Sequence, residues 1–262
     1  MSTIPVSNPG NGGFILSWKK PDSVAADHQA TGFEIGNAFI KYPTKVFLSG
    51  SNNVKINMTY NTPWKPTGIA LINHNLTQTA VINLRFFLDS NFSTLDDEKT
   101  IPYNVKNTYL IIDESTIGEY HYIQLYISDT SISSIQFGII FPGTGFQFPH
   151  NYSWGYTEEF NVVKEIDTTD GGFHEESPGE DQEITAPEYS KIGITFSSVD
   201  PGIHDVYKNL IRVGNKIFIP SFLKQDCFYG VVADKTLKTT KEKKGDTYSI
   251  QFWEHSLIGG GQ

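Results

Sequence analysis

The stretch GIALINHNLTQTAVINLRFFL, residues 68–88, decides the fold. Its first part, Gly68 to Asn73, is a short continuous apolar run that suits a strand covered on both faces. In its last part Ile82, Leu84, Phe86 and Leu88 alternate with other residues, the period-2 signature of a half-buried strand. Between them Asn73, His74 and Asn75 supply turn-compatible polar side chains at a strand end, and Leu76 returns to the core. The same alternation recurs on either side. Val54, Ile56, Met58 and Tyr60 carry it upstream; Ile123, Leu125 and Ile127, then Ile192, Ile194 and Phe196, then Tyr248, Ile250 and Phe252 carry it downstream. Turn chemistry separates these runs, as in Ser49-Gly50-Ser51-Asn52-Asn53 and Pro142-Gly143-Thr144-Gly145. One helix is predicted over about 201–212. Asp200 caps it, Pro201 opens it, Ile203, Val206, Tyr207, Leu210 and Ile211 share a face, and Gly214 closes it. Many strands and one late helix give an all-β protein, a sandwich or jelly roll with decoration.

Composition agrees. Aromatic residues make up 13% and charged residues 19% of the 262, a mix that fits pleated, half-buried surfaces. The net charge of −9 argues against nucleic acid as the main partner, because counterion release needs a basic face. No run of ~18 apolar residues is present to span a membrane as a helix. Met1-Ser2-Thr3-Ile4-Pro5 lacks the basic and apolar regions of a signal peptide, so the Asn-x-Ser/Thr triplets at Asn57, Asn75, Asn91 and Asn151 read as accidental. The single cysteine, Cys227, reads as a small core residue.

Four segments organise the chain. Residues 1–13 are rich in Pro, Gly, Asn and Ser and read as an N-terminal arm. Residues 14–164 form the sandwich. Residues 165–190 are acidic, with Gly171-Gly172 and Ser177-Pro178-Gly179, and read as a long surface loop or linker. Residues 191–262 form a second, mostly β part packed on the sandwich.

No catalytic constellation emerges. The seven histidines (His28, His74, His121, His150, His174, His204 and His255) show no zinc spacing. Asp167, Asp170 and their acidic neighbours hold only a fragment of a calcium-loop pattern, so the loop reads as solvated and no metal or cofactor is expected. Neither a Gly-x-Ser-x-Gly elbow nor a phosphate-cradling Gly-x-x-x-x-Gly-Lys occurs. The chain is therefore expected not to be an enzyme. The remaining functional handles are Trp64, Trp154 and Tyr156, aromatic residues in turn-rich places. They either anchor loops or subunit contacts, or stack on sugar rings.

The run from Trp64 to Arg85, with Asn73-His74-Asn75-Leu76 at its centre, resembles a pattern of distal tail proteins of tailed bacteriophages, tail-tip or baseplate components. Downstream, Tyr122 to Ile127, Gly138 to Gly143, Asn151 to Tyr156, Gly214 to Pro220 and Tyr229-Gly230-Val231 follow in the order of that family, out to Glu254. The resemblance implies a discoidin-like, or galactose-binding-like, β-sandwich. It implies a virion structural protein, made in the host cytoplasm, that joins other tail proteins and copies of itself in a ring. It also allows a carbohydrate-binding module touching the host surface, with Trp64 or Trp154 as platform. It brings no catalytic residues, and the long acidic loop departs from it.

Overall fold

The computed structural model describes residues 14–40, 46–105, 107–147, 156–162, 188–199, 216–219, 227–232, 238–242 and 245–254. The protein is all-β, built as two antiparallel sheets. The smaller sheet has five strands in the order β2 (Ser23–Ala26), β4 (Asn53–Trp64), β9 (Tyr120–Ser128), β6 (Val81–Phe87) and β7 (Leu95–Thr100). Three of its strands, β4, β9 and β6, are alternating runs of the sequence. In β4, Val54, Ile56, Met58 and Tyr60 are buried and point to the core, while Lys55, Asn57 and Thr59 point out.

The larger sheet has eleven strands, and both parts of the chain contribute to it. The strands before residue 148 are β1 (Phe14–Trp18), β3 (Phe47–Leu48), β5 (Gly68–His74), β8 (Asn107–Ile111) and β10 (Gln136–Gln147). The others are β11 (Tyr156–Val162), β12 (Glu188–Val199), β13 (Lys216–Ile219), β14 (Phe228–Val232), β15 (Lys238–Glu242) and β16 (Gly245–Glu254). The hinge of the arrangement is β1. It pairs with β10 on one side and with β13 on the other, so the hydrogen-bond ladder runs from the sandwich into the C-terminal strands. β11 pairs with β12, β12 with β16, and β16 with β14 and β15.

The apolar run of β5 explains its central place. Ile69 and Leu71 belong to the main core between the sheets, whereas Ala70 and Ile72 belong to a second core with Phe14, Leu16, Ile139, Phe141, Ile217 and Tyr229. The strand is covered on both faces, as its sequence predicts. Cys227 sits in the second core, again as predicted.

Pro142-Gly143-Thr144-Gly145 is not a turn; it lies inside β10. Its glycines serve close approach rather than chain reversal. A Cβ on Gly143 would stand 2.7 Å from the carbonyl oxygen of Ser17, and one on Gly145 would overlap the Phe14 ring. Gly68, across the ladder from Gly143, would put a Cβ 2.6 Å from Leu16 Cδ2. These three positions let β1 press into the sheet. β12 begins at Glu188, so residues 188–190, expected in the acidic loop, are strand. The rest of that loop, the N-terminal arm and the helix over 201–212 lie outside the described residues.

Candidate functional site

Among the described residues, two places gather polar and aromatic side chains: the junction at the end of β5, and the outer face of the five-stranded sheet. The junction is built by the Asn73-His74-Asn75-Leu76 motif. Asn73 has a φ of 53°, a left-handed conformation that asparagine tolerates better than most residues. Its backbone N–H donates to Asn107 Oδ1 at 3.0 Å, and Asn107 Nδ2 donates in turn to the carbonyl of Cys227 at 2.9 Å. Asn75 works as a rung: its Nδ2 donates to Ser134 O at 2.9 Å, and its Oδ1 accepts from Gln136 N at 2.8 Å. Leu76 is buried in the main core.

His74 stands 3.2 Å from Thr108 Oγ1 through Nε2, with its ring tilted against Tyr103. Burial pulls its pKa down to about 4, which keeps the imidazole neutral near neutral pH. Next to the motif lies Asp129, fully buried. It accepts from Thr77 N at 2.7 Å, Thr79 Oγ1 at 2.8 Å and Ser131 N at 3.0 Å, with Thr77 Oγ1 as a further donor. Burial pushes this carboxyl up, but the hydrogen bonds from Thr77, Ser131 and Thr79 outweigh it and hold the pKa below the usual range. Asn73, Asn75 and Asp129 are tied to other parts of the scaffold, whereas His74 Nδ1 is buried without a partner among the described residues. The sequence reading missed Asn107 and Asp129, both reached only through tertiary contact.

On the five-stranded sheet, the residues of β9 that alternate with its core positions face outward: Tyr122, Gln124 and Tyr126. Asn57, Gln124, Arg85 and Glu98 are cross-strand neighbours and form one polar row over four strands. Gln124 Nε2 donates to Asn57 Oδ1 at 2.8 Å, and Arg85 Nε donates to Glu98. Tyr126 flanks the row on one side, with the Arg85 guanidinium 4.2 Å from its ring centroid. Tyr122 and Phe87 flank it on the other. Phe92 meets both rings edge-on, at 5.5 Å from Phe87 and 5.9 Å from Tyr122, and His121 lies 5.8 Å from Tyr122.

Of the three aromatic candidates, Trp64 is 9% exposed and belongs to the main core, 5.2 Å from the Tyr60 ring. Its ring packs inward. Tyr156 opens β11, where its backbone pairs with Ile194, so it belongs to the other sheet. Trp154 and the acidic Asp167 and Asp170 lie outside the described residues. Among the described residues no three His, Cys, Asp or Glu side chains converge as metal ligands.

No family model matches the chain, and no curated protein matches it. Solved structures similar to it include a fucose-binding module of Streptococcus pneumoniae, with 8% identity and a TM-score of 0.40 over 49% of this chain and 98% of that one. Another is chitosan-binding module 1 of a chitosanase/glucanase from Paenibacillus sp. IK-5, with 13% identity and a TM-score of 0.38 over 47% and 93%. A third is the family 32 carbohydrate-binding module of C. perfringens NanJ in complex with galactose, with 10% identity and a TM-score of 0.37 over 45% and 90%. At these scores the likeness does not extend to a ligand.

Proposed function

We propose that this chain is a structural protein of the virion, a subunit of the tail tip or baseplate of a tailed bacteriophage. In this reading it assembles with copies of itself and with other tail proteins around the tail axis, and it is not an enzyme. The observation that carries the reading is the use made of the Asn73-His74-Asn75-Leu76 motif. This motif leads the resemblance to distal tail proteins, and Asn73, Asn75 and Leu76 are all spent on joining strands. Asn73, through Asn107, reaches the Cys227 carbonyl beside the C-terminal strands. The continuous eleven-stranded sheet supports the same reading, since a stiff body suits a ring subunit. Ring closure needs one face to complement a different face of the next copy. Sedimentation of the purified chain, alone and with neighbouring tail proteins, tests this. Rings or stable hetero-complexes are the expected result; a chain that stays monomeric in every mixture contradicts it.

A second reading, contact with a glycan of the host surface, is favoured by one observation. The outer face of the five-stranded sheet carries Tyr122, Tyr126 and Phe92 beside a row of planar polar groups. A glycan array probed with the full chain tests it, and an array without hits contradicts it.

A further inference from the structure

The outer face of the five-stranded sheet has a centre made of polar groups and margins made of rings. Asn57, Gln124, Arg85 and Glu98 hold one another in a line across β4, β9, β6 and β7. On this face Arg85 pairs with Glu98, and Lys55 of β4 stands across from Tyr126. Lys55 alone is a thin supply of positive charge for a nucleic acid, whose binding replaces many counterions. A docked protein surface wants a dry apolar centre with polar groups at the rim, and this face has the reverse order.

Phe92 supplies an independent observation. Its φ of 54° is left-handed, a conformation that costs a bulky residue energy and is kept only where the surroundings enforce it. The enforcing group is Asp89, which accepts from Asn91 N at 2.9 Å, Ser93 Oγ at 3.0 Å and Thr94 N at 2.6 Å. This turn sets the Phe92 ring edge-on against Tyr122 and Phe87, and so fixes an aromatic wall beside the polar row.

We propose that this face binds a neutral oligosaccharide laid along β9, a site that deepens the glycan-contact reading above and rests on it. The apolar face of a pyranose packs on the Tyr122 ring within the Phe92 wall. Its hydroxyls exchange hydrogen bonds with the Asn57 amide and the Arg85 guanidinium, while the buried Gln124 holds Asn57 in place. Tyr122 and Tyr126 are four residues apart on one strand, roughly 14 Å, so the face accommodates a chain of sugars rather than a single one.

The test uses the full chain on an array of neutral and anionic glycans, followed by calorimetric titration with the best neutral hit. Binding that survives added salt, and that weakens roughly tenfold or more in Tyr122→Ala and in Arg85→Ala, is the expected result. Tyr122→Leu, which keeps apolar bulk without the ring, covers the case in which Tyr122→Ala does not fold. Val105→Ala, on an exposed loop outside the face, serves as the control with unchanged affinity. Binding that none of the face variants alters overturns this site while leaving the glycan reading intact. Hits confined to anionic glycans overturn the neutral-ligand assignment. An array with no hits overturns both the site and the reading beneath it.

Discussion

The side-chain amide of Asn107 donates to the carbonyl oxygen of Cys227 at 2.9 Å, across 120 residues of chain, while its own oxygen accepts from the backbone of Asn73. One side chain thus ties the motif at the end of β5 to the entry of β14. Asn107→Ala leaves the Asn73 N–H and the Cys227 carbonyl without this partner. We expect a loss of about 1–3 kcal/mol in urea unfolding. A change within experimental error contradicts the role assigned to Asn107.

Gly145 gives a sharper test of how β1 is seated. A methyl at this position overlaps the Phe14 ring. Gly145→Ala is expected to cost about 3 kcal/mol or more, at the upper end of overpacking effects. Pairing it with Phe14→Leu should recover part of that loss, because the two changes meet in space. A double variant that is simply additive argues against the contact.

Much of this architecture is legible in the sequence, and the exceptions have physical causes. The two-sided burial of β5 follows from its unbroken apolar run, and β4, β6 and β9 follow from alternation. Pro142 to Gly145 misleads because glycine marks both turns and close backbone contacts, and only the position of β1 shows which applies. Trp64, flanked by Pro63 and Pro66, reads as a loop residue. Instead β4 runs on through a register irregularity and carries it into the core. Asn107 and Asp129 act on partners distant in sequence, and no local pattern announces that. The aromatic wall at Tyr122 and Phe92 needs the sheet pairing before its members become neighbours.

His74 predicts a pH dependence above the carboxylate range. Its folded pKa of about 4 lies below the ordinary 6.5, so between these values the unfolded chain binds the extra proton. Stability contributed by His74 is therefore full near neutral pH and declines as the pH falls from about 6.5 toward 4. His74→Gln should flatten that part of a stability–pH curve measured by urea unfolding. An unchanged slope contradicts the buried, neutral imidazole.

Asp129 acts at lower pH, with the ordinary carboxylate sign. Its folded pKa is depressed below 3.8, so its contribution is present above that value and lost as the pH falls through the folded pKa. Asp89 and Asp113, held down by their own turn hydrogen bonds, add dependence of the same sign. Asp129→Asn should lower stability at neutral pH and reduce the further loss on acidification below about pH 4. A variant as acid-sensitive as the parent contradicts this.

The measurement that bears most directly on the proposed role is electron cryomicroscopy of phage particles produced with this chain, with their proteins identified by mass spectrometry. The account predicts that the chain is present in purified particles. It predicts density at the distal tail that fits the two-sheet body, repeated around the tail axis. Particles that are complete without the chain, or density for it away from the tail, would contradict the account.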